Sequence, residues 1–172
     1  DLRSVSKSVT SLLVGIALDR KIISDIDQPV FTFFPDLAAL RAPEKDRIAL
    51  RHLLAMASGL AWDETRPYDR ETNDERRMIY STDPYRFTLA KPVAEKAGAK
   101  WNYSGGDTQL LAGVLQRTSG KFIADFAREV LFEPLGIRDV EWLKMPGNGE
   151  AAADSGLRLR PRDMARLGEL VL

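Results

Sequence analysis

Apolar residues recur along the first segment at Val5, Val9, Leu12, Leu13 and Ile16, with Ser4, Lys7, Ser8 and Ser11 between them. That spacing predicts a helix over residues 5–19 with one buried face, ending in the polar run Asp19-Arg20-Lys21. Further on, Pro29 suits the first turn of a short helix and Pro35 is expected to stop it. A second amphipathic helix is predicted over 49–57, closed by Ser58-Gly59. Residues 61–73 turn polar and irregular, the pattern of a long surface loop, and such loops often line sites. Residues 74–96 read as short helices broken at Pro84 and Pro92.

The clearest periodicity lies later. Leu110, Leu111, Val114 and Leu115 mark a helix that ends at Ser119-Gly120. Phe122, Ile123, Phe126, Val130 and Leu131 mark another, ending before Pro134. Glycines 136, 147, 149 and 156 punctuate loops around one short strand, and a last helix starts near Pro161. Convincing alternating strands are lacking, so the chain is expected to be mainly helical, a single region over 1–172.

Composition narrows the chemistry. The 172 residues are 44% hydrophobic, enough for one core, and 25 basic residues balance 25 acidic ones. No dense Lys/Arg cluster offers a track for phosphates, so nucleic acid is not an expected partner. With no cysteine and one histidine, His52, a structural zinc site and a thiol nucleophile are ruled out, and neither a metal nor a cofactor is expected. No apolar run is long enough for a membrane span. The chain begins at Asp1 instead of Met and is expected to be cut from something larger, so its compartment is not legible.

Catalysis must then use hydroxyls, amines or carboxylates. Ser4 and Lys7 are three apart, on one face of the first helix. A neutral lysine there can take the serine proton, and the helix N-terminus favours negative charge developing at the hydroxyl. The pattern is cheap: ten serines and eight lysines give about half a Ser-x-x-Lys match by chance in this length. On spacing alone, a solvated polar face is the favoured account. Trp101-Asn102-Tyr103-Ser104-Gly105-Gly106 precedes the strongest helix, in a turn that could project Tyr103 into a cleft as a general acid or base. An aromatic at the edge of the core is the alternative. His52 lies between apolar neighbours without an acidic partner at triad spacing, and a structural role is expected. Gly105-Gly106 before a helix could also bind an anion.

Together these segments resemble the serine β-lactamase and penicillin-binding-protein superfamily. Ser4-Val5-Ser6-Lys7, RHLLAMASGL at 51–60, WNYSGGDTQLLAGVL at 101–115, FEPLGI at 132–137 and LRLRPRDMARLGELVL at 157–172 come in that superfamily's order. The resemblance is closest to the class C-type branch of family VIII carboxylesterases, D-aminopeptidase-like enzymes and nylon-oligomer hydrolases. It implies the helical region of a β-lactamase/transpeptidase-like α/β fold, with sheet-forming segments missing at both ends. It also implies a serine hydrolase that cleaves a small-molecule ester or amide through an acyl-serine, with Ser4 as nucleophile, Lys7 as base and Tyr103 as proton relay. A catalytically silent binding module of the same fold and an unrelated helical interaction domain are the alternatives.

One departure stands out. The superfamily's tyrosine motif often reads Tyr-x-Asn, and the third position here is Gly105, so a substrate-binding amide is missing or supplied elsewhere. Thr118-Ser119-Gly120 is explained as a helix end and does not supply the strand motif Lys-Thr-Gly. Without the sheet, the isolated chain is expected to be a weak catalyst. Val9, Leu13 and Ile16 are expected to lie uncovered, favouring self-association or pairing with a complementary sheet fragment.

Overall fold

In a computed structural model describing residues 1–69 and 71–172, helices dominate and the one sheet among these residues has two strands. The helices are α1 (Ser6–Asp19), α2 (Leu50–Leu54), α3 (Asp74–Ile79), α4 (Pro84–Leu89), α5 (Gly105–Ser119), α6 (Ile123–Ala127) and α7 (Pro161–Leu170). The strands are β1 (Val140–Trp142) and β2 (Leu157–Leu159), antiparallel with Glu141 opposite Arg158.

The axle of the fold is α5. Every residue from Gly105 to Leu115 is buried, and α1, α2, α3, α4 and α6 all pack on it. A helix buried on all sides needs small residues where neighbours come closest. A side chain at Gly113 would stand 2.5 Å from the Tyr85 ring, and one at Gly106 would stand 2.6 Å from Trp62. Ser104 caps the helix by accepting from the Asp107 N–H, and Gly120 closes it in the left-handed region at φ 73°.

Several expectations need correction. The second helix stops at Leu54, short of residue 57, because Met56 takes φ 50° and turns the chain away. Gly59, at φ 80°, then passes so close to the Glu95 carbonyl that no side chain fits. Pro35 begins a 3-10 turn, Pro35–Leu40, where a stop was expected. The helix after Gly120 is α6 followed by a π turn over Arg128–Phe132. Two strands stand where one was expected, each three residues long, too short for alternation to register.

The uncovered face of α1 is only partly the expected one. Leu13 is sealed in the core, whereas Val9, itself almost fully buried, and the half-buried Ile16 do border an open groove. That apolar groove, about 890 Å³, is lined also by Val5 and Leu12 of the α1 region with Met164, Leu167 and Leu170 of α7.

Candidate active site

The site forms where the start of α1 meets the segment between the two strands. Polar side chains stitch that segment to both long helices. From α1, Lys7 Nζ donates to the Asp154 carbonyl at 2.9 Å and Thr10 Oγ1 to the Ala153 carbonyl at 3.1 Å. From α5, Gln109 Nε2 donates to the Ala151 carbonyl and its Oε1 accepts from the Ala153 N–H. Ser6 Oγ donates to the Arg3 carbonyl and accepts from the Leu157 N–H, while the Leu2 N–H donates to the Leu157 carbonyl. Arg3, at φ 48°, is a non-glycine residue in left-handed backbone immediately before Ser4. Ser4 follows in a 3-10 turn, Arg3–Val5, that leads into α1.

The lysine is thereby fixed and largely shielded, its side chain 9% exposed. Its ammonium lies 3.8 Å from Asp154 Oδ2 and 4.9 Å from the centre of the Tyr103 ring. Tyr103 is half-buried, and the exposed Trp101 ring tilts against it at 6.1 Å. The turn that presents Tyr103 is held from below by Asn102, whose N–H donates to the Met56 carbonyl and whose Nδ2 donates to the Trp62 carbonyl. Lys7 and Tyr103, 96 positions apart in sequence, thus share one side of the site with the turn that carries Ser4.

Gly105 sits at the first turn of α5, buried. Its N–H donates to Glu64 Oε2 at 2.8 Å, and the same oxygen accepts from Trp62 Nε1 at 2.6 Å. The anion at this helix N-terminus is therefore the protein's own carboxylate. A Cβ at position 105 would lie 2.8 Å from Asp154 Oδ2 and 3.2 Å from Glu64 Oε2. The space into which an asparagine would project is filled by two carboxylates.

A third acid completes this group. Glu75, on α3, has its carboxyl pushed up to about 8, first by burial and then by the neighbouring Asp154 carboxyl and the charge of Glu64, with Lys7 opposing. Tyr68 lies near the same acids, and burial and the charges of Glu75 and Asp154 push its hydroxyl up to about 12. Asp154 is fully buried, and its Oδ2 accepts no hydrogen bond from the described heavy-atom donors. Among the described residues no group of acids or histidines is arranged to hold a metal ion.

Nothing in the sequence pattern points to Glu75 or Asp154; Glu64 falls in the loop-rich middle that the resemblance sets beside the substrate cleft, where a packing role is the expectation. The three lie on a loop, a short helix and an inter-strand turn, and no periodic pattern links them. His52, by contrast, has the structural role expected of it: its Nδ1 accepts from the Ala49 N–H at the start of α2.

Comparison with known proteins identifies the chain's relatives. The chain is 27% identical over 154 residues to a monacolin J acid methylbutanoyltransferase of Aspergillus terreus, covering 81% of this chain and 37% of that protein. It is 26% identical over 180 residues to a 6-aminohexanoate-dimer hydrolase of Paenarthrobacter ureafaciens, covering 99% and 45%. The chain thus spans less than half the length of these relatives. A 6-aminohexanoate-dimer hydrolase homologue from Bacillus anthracis superposes with a TM-score of 0.80 at 19% identity, covering 98% of this chain and 46% of that one, and shares its fold. Residues 1–171 match the Beta-lactamase family, and the chain belongs to that family as the helical part of its fold.

Proposed function

We propose that the protein carrying this chain is a serine hydrolase that cleaves a small-molecule ester or amide through an acyl-serine intermediate, without metal or cofactor. Ser4 Oγ attacks the substrate carbonyl and passes its proton to Lys7. The Ser4 N–H, at a helix N-terminus where first-turn amides lack intrahelical acceptors, is one donor to the oxyanion. The Tyr103 hydroxyl relays the proton to the leaving group, which departs and leaves the acyl group on Ser4. Water, deprotonated by the same pair, then releases the acid and restores the serine. The observation that carries this reading is the seating of the Lys7 ammonium between Asp154 and the Tyr103 ring, one turn from Ser4.

The relatives favour a second acceptor: an alcohol in place of water would make the same acyl-enzyme a transferase, as in the methylbutanoyltransferase. Without an amide at position 105, short-chain p-nitrophenyl esters are expected to turn over faster than nitrocefin. A second oxyanion donor is expected from elsewhere in the whole protein, so the isolated chain is expected to lose about 10²- to 10³-fold in rate.

The test is a fluorophosphonate probe read by mass spectrometry on the whole protein. Ser4 is expected to be the labelled residue, with labelling lost in Lys7→Ala and turnover about 10²-fold lower in Tyr103→Phe. Absence of labelling at any pH would instead establish a binding module that has kept the fold. Product analysis with added alcohol separates hydrolase from transferase.

A further inference from the structure

The two-stranded ladder has two ends. At one, Trp142 and Leu157 lead into the segment that carries Asp154; at the other, Val140 stands opposite Leu159, between the loop that precedes β1 and the start of α7. A cavity of about 370 Å³ opens at this second end, lined by Arg138, Arg160, Arg162 and Arg166 with Asp139 and Asp163. We propose that the cavity is a binding site for a phosphate monoester, which is close to a dianion at neutral pH. The proposal does not depend on the roles given to Ser4 and Lys7.

Two of the arginines are fixed and two are uncommitted. Arg160 Nε donates to Asp139 Oδ2 at 2.7 Å, with its Nη2 2.6 Å from the same oxygen, which pins this guanidinium at the end of β2. Arg166 Nη1 donates to Asp163 Oδ1 at 2.8 Å and to the Gly136 carbonyl at 3.2 Å, which ties α7 to the loop. Asp163 is 4% exposed, so its charge is spent on Arg166. These are the cavity's ion pairs among the described residues, and the exposed Arg138 and Arg162 have no acidic partner there. Four guanidiniums against two carboxylates leave the lining with a net charge of +2. Beside it on β2, Arg158 is already shared by Asp1 and Glu141 and adds no uncompensated cation.

Gathering like charges costs free energy that a bound anion offsets. The form of the site selects the anion. Guanidiniums line the cavity from the loop, from the end of β2 and from the first two turns of α7, so donors come from several directions. A phosphate offers such a set three acceptor oxygens arranged tetrahedrally, whereas a carboxylate offers two in one plane. Its two charges match the excess of two, which a single carboxylate does not. The loop side is bounded by Gly136, which has no side chain to fill the space, and the volume is that of a small-molecule pocket. Two uncompensated charges in one cavity are far from the row of phosphate contacts that holds a nucleic acid.

The experiment is calorimetric titration of the whole protein at pH 7.5, at ionic strength held constant with chloride, with inorganic phosphate, phenyl phosphate and acetate. Both phosphates are expected to bind saturably, with Kd about 1 mM or tighter, and acetate at least about tenfold more weakly. Replacing Arg138→Gln and Arg162→Gln together is expected to weaken phosphate binding about tenfold or more. Both residues are exposed, so the double variant is expected to melt as the native protein does; Arg138→Gln alone, with a loss of about threefold or more, gives the same comparison should the pair unfold. Sedimentation with phosphatidylcholine vesicles that contain phosphatidic acid separates the two sources of the ligand. Sedimentation that is lost in the double variant makes the phosphate a lipid headgroup, and binding of phenyl phosphate without sedimentation makes it that of a soluble molecule. Absence of saturable binding to phosphate, phenyl phosphate and vesicles would overturn the proposal, as would equal binding by native protein and double variant, or acetate bound as tightly as phosphate.

Discussion

At position 105 the choice of glycine is steric before it is functional. A methyl group there would press on a buried carboxylate that lies against Lys7, so Gly105→Ala is expected to cost about 1–3 kcal/mol. The cost should shrink when Asp154 is also replaced by Ala, since the nearer oxygen is then gone. Chemical unfolding of the two single variants and the double variant measures this coupling directly. Additive losses would mean that Gly105 is kept for some reason other than Asp154. The same contacts explain why the superfamily's asparagine cannot be restored here by one substitution.

At the scale of elements, Gln109 is a clasp. Both ends of its amide serve the 151–153 backbone, one donating and one accepting, so its side chain ties α5 to the segment that carries Asp154. Gln109→Leu leaves a buried N–H and a buried carbonyl without partners, and is expected to destabilise the fold by about 1–3 kcal/mol. It should also speed hydrogen exchange in 151–157 more than in α5; uniform exchange would show that the clasp does not localise there. The long helices were legible because periodicity over ten or more residues is a strong signal, and Gly120 fell where a cap was expected. The strands were not, because three residues give no alternation to read. Ordered motifs picked out Ser4, Lys7 and Tyr103, and the fold brings Lys7 and Tyr103 together. Asp154 was hidden because its place there comes from tertiary packing beside a missing Cβ, which leaves its trace in the sequence only as Gly105.

For the molecule as a whole, the buried Asp107 and the half-buried Glu75 make stability fall as pH rises. Burial pushes Asp107 up from 3.8 to about 7, and Glu75 is pushed from 4.5 to about 8. In these windows the folded chain holds protons that the unfolded chain has released, so stability falls as pH rises. Both contributions are fully present below about pH 4 and are lost on passing through about 7 and 8. Calorimetry is expected to give a lower Tm at pH 8 than at pH 5, with a smaller gap in Asp107→Asn. An equal gap in that variant would show that Asp107 is not responsible.

The stitching of α1 to residues 153–157 also bears on how the protein comes into being. The acceptor for the Lys7 ammonium is 147 residues downstream of it, so α1 cannot make this contact until Asp154 has followed it out of the ribosome. At 5–20 residues per second that is a delay of roughly 7–30 s, during which the lysine remains solvated. The latch that orders the amine arrives long after the amine itself, and a nascent chain carries Ser4 and Lys7 as ordinary surface groups until then.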